Sequence, residues 1–174
     1  LAIGADSAIR IDAEPLDGIF VAKQIAAYVQ ENSYDLIIAG RESIDYNGGM
    51  VPGMIAGILG MNFVTNCTQL TIENNKAIAE REIDGGIETL SCSLPLIVGG
   101  QKGLVEESDL RIPNMRGIMQ ARQKPLTVVP SSEEKANTKI NTFYKPPSKE
   151  AVKLVDANNI DELIDLLHNE ANVL

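Results

Sequence analysis

The sequence has few of the residues that build metal centres and catalytic sets. Its 174 residues include two cysteines, Cys67 and Cys92, and one histidine, His168. A structural zinc site takes about four soft ligands, so one chain of this composition cannot form one. A Ser/His/Asp or Cys/His set is equally hard to build around a single histidine near the carboxyl terminus. We therefore expect no metal site, reduced structural cysteines and no enzymatic activity.

Positive charge and long apolar runs are also scarce. Fifteen Lys and Arg against 24 Asp and Glu give a net charge of -9 and a pI near 4.6. Such a field repels polyanions, which makes DNA and RNA poor partners. No apolar run approaches bilayer length, and the first residues lack the order of a signal peptide. We expect a soluble, cytoplasmic protein that is not itself a membrane protein, and the initial Leu1 indicates an interior start.

The remaining composition is that of an ordinary globular domain, with 44% hydrophobic and 22% charged residues. Apolar residues recur at helical spacing in residues 15–30, between the strand-like residues 8–11 and the apolar residues 35–40. A continuously apolar strand is typical of a parallel sheet covered on both faces. This order of strand, helix and strand predicts a doubly wound α/β layer.

The segments after residue 40 depart from this strand–helix–strand pattern, first as an antiparallel region and then as a polar arm. Residues 41–49 form a polar loop ending in two glycines, and a helix with Pro52 in its first turn is expected over residues 50–60. Alternating runs at residues 68–73, 77–83 and 87–94 are separated by Asn and Gly turns, which predicts an antiparallel meander before a last apolar strand at 96–99. The polar residues 131–150 indicate a linker or arm, and residues 159–174 an amphipathic helix with Asn159 and Glu162 as a capping box. So short a helix must dock on another surface.

One segment, residues 79–99, is more specific than the rest. It combines Arg81, the turn at residues 84–86, Glu88, and Pro95 before an apolar triplet. Alone, this is a charged hairpin with a tight turn, for which a structural role is the default. The combined spacings resemble the signature of the electron-transfer flavoprotein β (small) subunit. The resemblance runs along the whole chain, which looks like a fragment lacking the family's amino-terminal part.

This resemblance implies a Rossmann-like parallel sheet with helices on both faces, an antiparallel hairpin region and a carboxy-terminal arm. Residues 1–130 would hold the rest of the nucleotide-binding domain with the signature hairpins and recognition loop, and residues 131–174 the arm and helix that dock on the α subunit. The family's β subunit scaffolds an α subunit that carries most contacts to FAD, and it binds a structural AMP. It docks acyl-CoA and related dehydrogenases, whose electrons pass to a quinone oxidoreductase and the respiratory chain.

Other readings stay open beside that one. A free-standing nucleotide-binding module of the universal-stress-protein type would share the α/β core, but the signature hairpin and the polar arm argue against it. A nucleotide-dependent hydrolase or ligase would need basic and histidine residues for phosphate chemistry, which this chain lacks.

The family's AMP site falls on the loop before the second helix. Backbone N–H groups of Gly48 and Gly49, ahead of a helix N-terminus, can bind a phosphate, although two glycines before a helix are more often a turn. Asp45 could orient the loop by accepting backbone N–H bonds. Many relatives have Gln-Thr-Gly where this chain has Met50-Val51-Pro52, so a hydroxyl and an N–H are lost. We favour AMP over a second FAD, with these candidate residues: Gly40, Asp45, Tyr46, Asn47, Gly48, Gly49, Met50 and Val51.

The family's partner-recognition loop aligns with residues 101–124. Its apolar anchor corresponds to Ile112, with Leu104, Arg111 and Pro113 as further candidates. A buried aliphatic anchor supplies binding energy while charges at the rim guide encounter. Without the resemblance, these apolar residues would be read as core.

Overall fold

The computed structural model describes residues 1–45, 47–149 and 151–174. They form two compact units, Leu1–Lys139 and Ile140–Leu174. The first unit contains, in chain order, β1 (Ala8–Asp12), α1 (Gly18–Glu31), β2 (Leu36–Gly40), α2 (Val51–Leu59), β3 (Asn62–Glu73), β4 (Lys76–Ile83), β5 (Gly86–Ser93), β6 (Leu96–Gly100), a 3-10 turn (Glu107–Asp109), α3 (Met115–Ala121) and β7 (Leu126–Pro130). The second contains α4 (Ile160–Asp165) and a π-helical turn (Leu166–Glu170). The predicted α/β fold class is confirmed.

The described strands form two sheets. One has the order β2-β6-β3-β4-β5, in which β2, β6 and the start of β3 are parallel and β3, β4 and β5 form the predicted antiparallel meander. The other sheet pairs β1 with β7 in parallel. Nothing in the sequence pattern predicts β7, because a five-residue segment bounded by prolines shows little periodicity.

Strand β6 divides the core between its two faces. Ile97 points to one face, where it packs with Ala22 of α1 and with Ile55 and Ala56 of α2. Leu96 and Val98 point to the other face, where they pack with side chains of the meander: Val64, Cys67, Ala77 and Ala79. Helices α1 and α2 therefore share the Ile97 face, and on the opposite face Leu96 and Val98 form one apolar cluster with side chains of the meander.

The meander is shaped by residues with left-handed backbone conformations. Asn74 and Asn75 both have positive φ, of 49° and 63°, as the tight two-residue hairpin between β3 and β4 requires. Asn66 has φ 53°, and the register of β3 against β6 shifts between Val64 and Cys67. This bulge lets Val64 and Cys67, three positions apart, face the same cluster. Strand β3 thus turns from a parallel to an antiparallel neighbour within one strand.

The second unit is built around α4. Asn159 caps this helix, since its Oδ1 accepts from the Glu162 amide at 3.4 Å, and its own side-chain amide donates to the Glu162 carboxylate at 2.7 Å. Ile160, Leu163 and Ile164 remain substantially exposed. The predicted cap is therefore present, but the helix expected over residues 159–174 is an α-helix only to Asp165 and a π-helical turn to Glu170.

Within the described residues, none of the helices combines the length and the apolar character needed to cross a bilayer.

Candidate functional site

The candidate nucleotide site lies where the parallel strands β2 and β6 end. Gly40 and Gly100 are paired at these ends, and the Arg41 amide donates to the Gly100 carbonyl at 3.2 Å. In open α/β sheets, ligands bind outside the carboxyl ends of the strands. The β2–α2 loop, residues 41–50, starts from this edge. Its position is that of a ligand-binding loop of an α/β fold.

Hydrogen bonds within the loop hold it as a small hairpin. The Ser43 amide donates to the Gly48 carbonyl at 3.1 Å, and the Ser43 hydroxyl donates to Asp45 Oδ1 at 2.5 Å. Asn47, at the turn, has φ 49°. Asp45 thus shapes the loop through a hydroxyl donor, where a backbone donor was expected. Tyr46 lies outside the described residues.

Among the glycines of the candidate site, Gly49 has the clearest steric reason to lack a side chain. A Cβ built on Gly49 would lie 3.2 Å from the backbone carbonyl oxygen of Arg41, an atom that cannot rotate away. Gly40 by contrast has open space where a side chain would go. Gly48 is half-buried. A side chain at position 49 would therefore require the Arg41 carbonyl, at the other end of the loop, to shift by a few tenths of an ångström.

The loop leads into α2, whose N-terminus has no side-chain cap. Met50 occupies the cap position, no acidic residue lies in the first turn, and Pro52 is in that turn. The first amides of a helix carry partial positive charge, which favours an anion. The N-terminus of α1 is close by, because a Cβ on Gly18 would lie 3.3 Å from the Met50 sulfur. Within the described residues, the first amides of α2 therefore lie beside the loop without a side-chain cap.

The signature hairpin is tied to the same edge of the sheet. Arg81 and Glu88 are opposite each other in β4 and β5, and their side chains form an ion pair at 2.6 Å. The neighbouring Glu82 accepts from the side-chain amide of Gln101, and Arg41 Nη1 donates to Gln101 Oε1 at 3.1 Å. The sequence pattern did not indicate Gln101, because its role depends on strand ends that meet only in the fold. Glu82, Gln101 and Arg41 link the hairpin to the β2–α2 loop.

The candidate recognition residues occupy different environments. Arg111, Ile112 and Pro113 are exposed, and Ile112 keeps 82% of its surface accessible. Leu104 is partly buried against the Val98 side of the core, with its side chain beside Gly100. Exposed apolar side chains continue on both sides of Ile112, at Val105, Leu110, Met115 and Met119. The exposed apolar side chains of this segment therefore include Ile112, whereas Leu104 packs against the core.

The environment of Cys67 explains its expected inertness. The residue is fully buried, and this burial raises the pKa of its thiol above the ordinary value. The sulfur also lies 3.2 Å from the Gln69 carbonyl oxygen, to which the thiol donates. A protonated, buried thiol is unreactive. Within the described part of the chain, no group of three or more His, Cys, Asp or Glu is placed to hold a metal ion.

Comparison with known proteins gives consistent matches. The family model of the electron transfer flavoprotein domain matches residues 1–134. The electron transfer flavoprotein subunit beta of Bacillus subtilis (strain 168) is 35% identical over 188 residues, which cover 100% of this chain and 72% of that protein. The mitochondrial subunit beta of Oryza sativa subsp. japonica is 32% identical, covering 100% of this chain and 70% of its own length. The subunit beta of Homo sapiens is 36% identical over 74% of this chain and 51% of its own.

Proposed function

Because the chain belongs to the electron transfer flavoprotein family, we propose that it serves as the β subunit of an electron-carrying heterodimer. The observation that carries this proposal is the alignment with β subunits over the entire chain, including the arm beyond residue 134. In this role the chain scaffolds an α subunit that holds most of the FAD. It acts as a carrier component rather than as an enzyme, and its place of action would be the cytoplasm.

The β2–α2 loop is the proposed binding site for a structural AMP. Its support is physical: the Gly49 backbone is bare of side chain, and the N-terminus of α2 has uncapped amides beside it. Val51 offers no hydroxyl and Pro52 no N–H, so backbone groups would carry the phosphate contacts. Candidate contacts are Gly40, Asp45, Asn47, Gly48, Gly49, Met50 and Val51, together with Tyr46. A monophosphate suits so short a loop better than a second FAD.

Two glycine substitutions separate this role from general stability. Gly49→Ala places a methyl group against the Arg41 carbonyl and should displace the loop, so that AMP affinity falls at least tenfold. Gly57→Ala, in the middle of α2, meets no atom within 4 Å and should leave AMP affinity unchanged. Isothermal titration with AMP on the coexpressed heterodimer measures both. Equal affinities in the two variants would contradict the loop assignment.

The exposed surface around Ile112 is the proposed docking site for electron donors. Ile112 offers an apolar anchor, and Arg111 and Arg116 lie in the same segment as cations that can steer an acidic partner surface. Leu104 and Pro113 would hold the loop in shape. By family analogy the donors are acyl-CoA and related dehydrogenases, and the electron acceptor is a quinone oxidoreductase of the respiratory chain.

The second unit is the proposed docking element for the α subunit. Its aromatic and aliphatic side chains are largely exposed, including Phe143, Tyr144 and Leu154, at 78%, 87% and 90%. So many apolar side chains outside a core are typical of a surface that is covered in a complex. A monomeric nucleotide-binding module would have no use for this arm.

Coexpression with the α subunit tests the whole proposal. Size-exclusion chromatography with light scattering should show a one-to-one complex that contains FAD, and denaturation should release AMP in equal amount. A monomer at micromolar concentration that carries AMP alone would favour the free-standing nucleotide-binding module.

A further inference from the structure

The polar segment that follows β7 is attached to helix α1 along its length. Gln24, which is 5% exposed, donates from Nε2 to the Ser132 carbonyl at 3.2 Å. Its Oε1 accepts from the Ser132 amide at 2.8 Å. The side-chain amide therefore pairs with both backbone groups of one residue, as a neighbouring strand would. A buried amide with both partners satisfied holds its segment firmly.

Two further contacts continue this attachment toward the N-terminus of α1. Lys23 Nζ lies 2.7 Å from Glu134 Oε2. Asp17 Oδ2 accepts from the amides of Asn137 and Thr138, at 2.7 and 2.8 Å, and from the Thr138 hydroxyl at 3.1 Å. Chain positions 132, 134 and 138 thus meet helix positions 24, 23 and 17, so the segment runs antiparallel to α1.

The two carboxylate oxygens of Asp17 have separate tasks. Oδ1 accepts from the Phe20 amide at 2.8 Å and caps α1. Oδ2 accepts the hydrogen bonds from residues 137 and 138. The amide hydrogen bond from Phe20, together with those from Thr138 and Asn137, keeps the pKa of Asp17 below its ordinary value. The carboxylate is therefore charged at neutral pH, and bonds to a charged acceptor are the stronger kind.

We propose that residues 132–138 form a strap that fastens the root of the carboxy-terminal arm to α1, with Asp17 as its clasp. The second compact unit begins at Ile140, two residues after Thr138. The arm therefore starts from a segment that is attached to α1, although the sequence alone indicates a linker or arm over residues 131–150. This inference rests on the proposed function where it concerns the α subunit: an anchored root loses less conformational entropy when the arm binds.

One substitution removes the clasp and keeps the cap. In Asp17→Asn, the remaining oxygen can still accept from Phe20, and Asn caps helices as well as Asp does. The amide nitrogen that replaces Oδ2 cannot accept from residues 137 and 138. Hydrogen exchange of the Asn137 and Thr138 amides should rise about tenfold or more, since both amides lose a charged acceptor, the stronger kind of hydrogen-bond partner. Trypsin should cut faster after Lys135 and Lys139, while the melting temperature falls by less than it does when the cap is also removed.

Glu31→Gln is the matched control, because it removes the same charge from the other end of α1. It should leave exchange and cleavage unchanged. Asp17→Ala removes cap and clasp together, so it should show the same exchange increase and a lower melting temperature. Equal exchange and cleavage in Asp17→Asn and in the unsubstituted chain would overturn the strap.

A second measurement addresses the arm. Association of the chain with the α subunit should be at least threefold slower for Asp17→Asn than for Glu31→Gln, when both are measured at a temperature at which both variants are folded. Equal association rates overturn the role of the strap in partner binding. The exchange experiment uses the chain alone, so it can succeed even if the unsubstituted chain fails to bind an α subunit. That failure would count against the proposed function and not against the strap.

Discussion

Truncation of Ile112 to alanine should weaken donor docking without destabilising the protein. The substitution removes the outer carbons of a side chain that is 82% exposed. Because this side chain makes few contacts within the chain, its removal should change the free energy of unfolding by less than about 0.5 kcal/mol. A docked dehydrogenase would bury the same carbons, so the substitution should weaken docking rather than folding.

The magnitude follows from the area that docking can cover. Isoleucine exceeds alanine by three carbons, each contributing about 0.8 kcal/mol on burial. Since four-fifths of the residue is available to a partner, roughly 2 kcal/mol should be lost from docking. At about 1.4 kcal/mol per tenfold, the dissociation constant of the donor complex should rise about 30-fold.

Flavin reduction at increasing dehydrogenase concentration measures this docking constant on the heterodimer. Two isoleucines serve as controls. Ile44→Ala removes the same atoms from a side chain that is 93% exposed in the β2–α2 loop, and it should leave donor docking unchanged. Ile97→Ala removes them from the fully buried face of β6, and it should lower stability by about 2–5 kcal/mol. If Ile112→Ala lowers the melting temperature as Ile97→Ala does and docks normally, Ile112 is a core residue and the docking assignment is wrong.

Three further predictions concern single residues. Cys92 is partly accessible, whereas Cys67 is buried and the pKa of its thiol is raised. A thiol reagent at pH 8 should therefore modify Cys92 first and Cys67 only as the protein unfolds. A time course followed by mass spectrometry measures both rates, and equal rates would contradict this. Gly117→Ala should lower the melting temperature despite a gain of about 1 kcal/mol in helix propensity, because its Cβ would lie 2.3 Å from the Ala2 carbonyl oxygen; Gly57→Ala is the matched helix control. The pKa of Asp17 is lowered from 3.8, so its stabilising contribution is complete above pH 3.8 and lost as the pH falls through its folded value. An NMR titration should therefore shift the Thr138 amide only below pH 3.8, and a transition near neutrality would refute the clasp.

Most elements of this fold could be predicted because their signals are local. The apolar spacing in α1, the continuous apolar residues of β2 and β6, and the Asn and Gly turns of the meander each act over fewer than about 15 residues. The asparagine pair at 74 and 75 is a clear case, since two positive φ angles in sequence admit few other residues. The signature at residues 79–99 likewise needed only its own spacing to indicate the family.

The candidate site was only partly predictable. The loop and its glycines were found from the sequence, but the steric demand on Gly49 depends on the carbonyl of Arg41 across the loop. Arg41, Gln101 and Glu82 lie at the ends of three different strands. They meet only because β2, β4 and β6 belong to one sheet. Leu104 and Ile112 are both aliphatic residues of one loop, and their sequence environment does not reveal that the first packs on the core while the second is exposed.

The sequence by itself determined the α/β class, the strands of the meander, the cap of α4 and the family, because these depend on neighbouring residues. Tertiary structure decided which distant segments pair. Strand β7 forms only because β1 offers an edge more than a hundred residues earlier, and the polar residues 132–138 become a strap only because Gln24 and Asp17 present acceptors on α1. A backbone hydrogen bond is the same chemistry with any partner, so the sequence of one segment cannot specify which distant group will complete it.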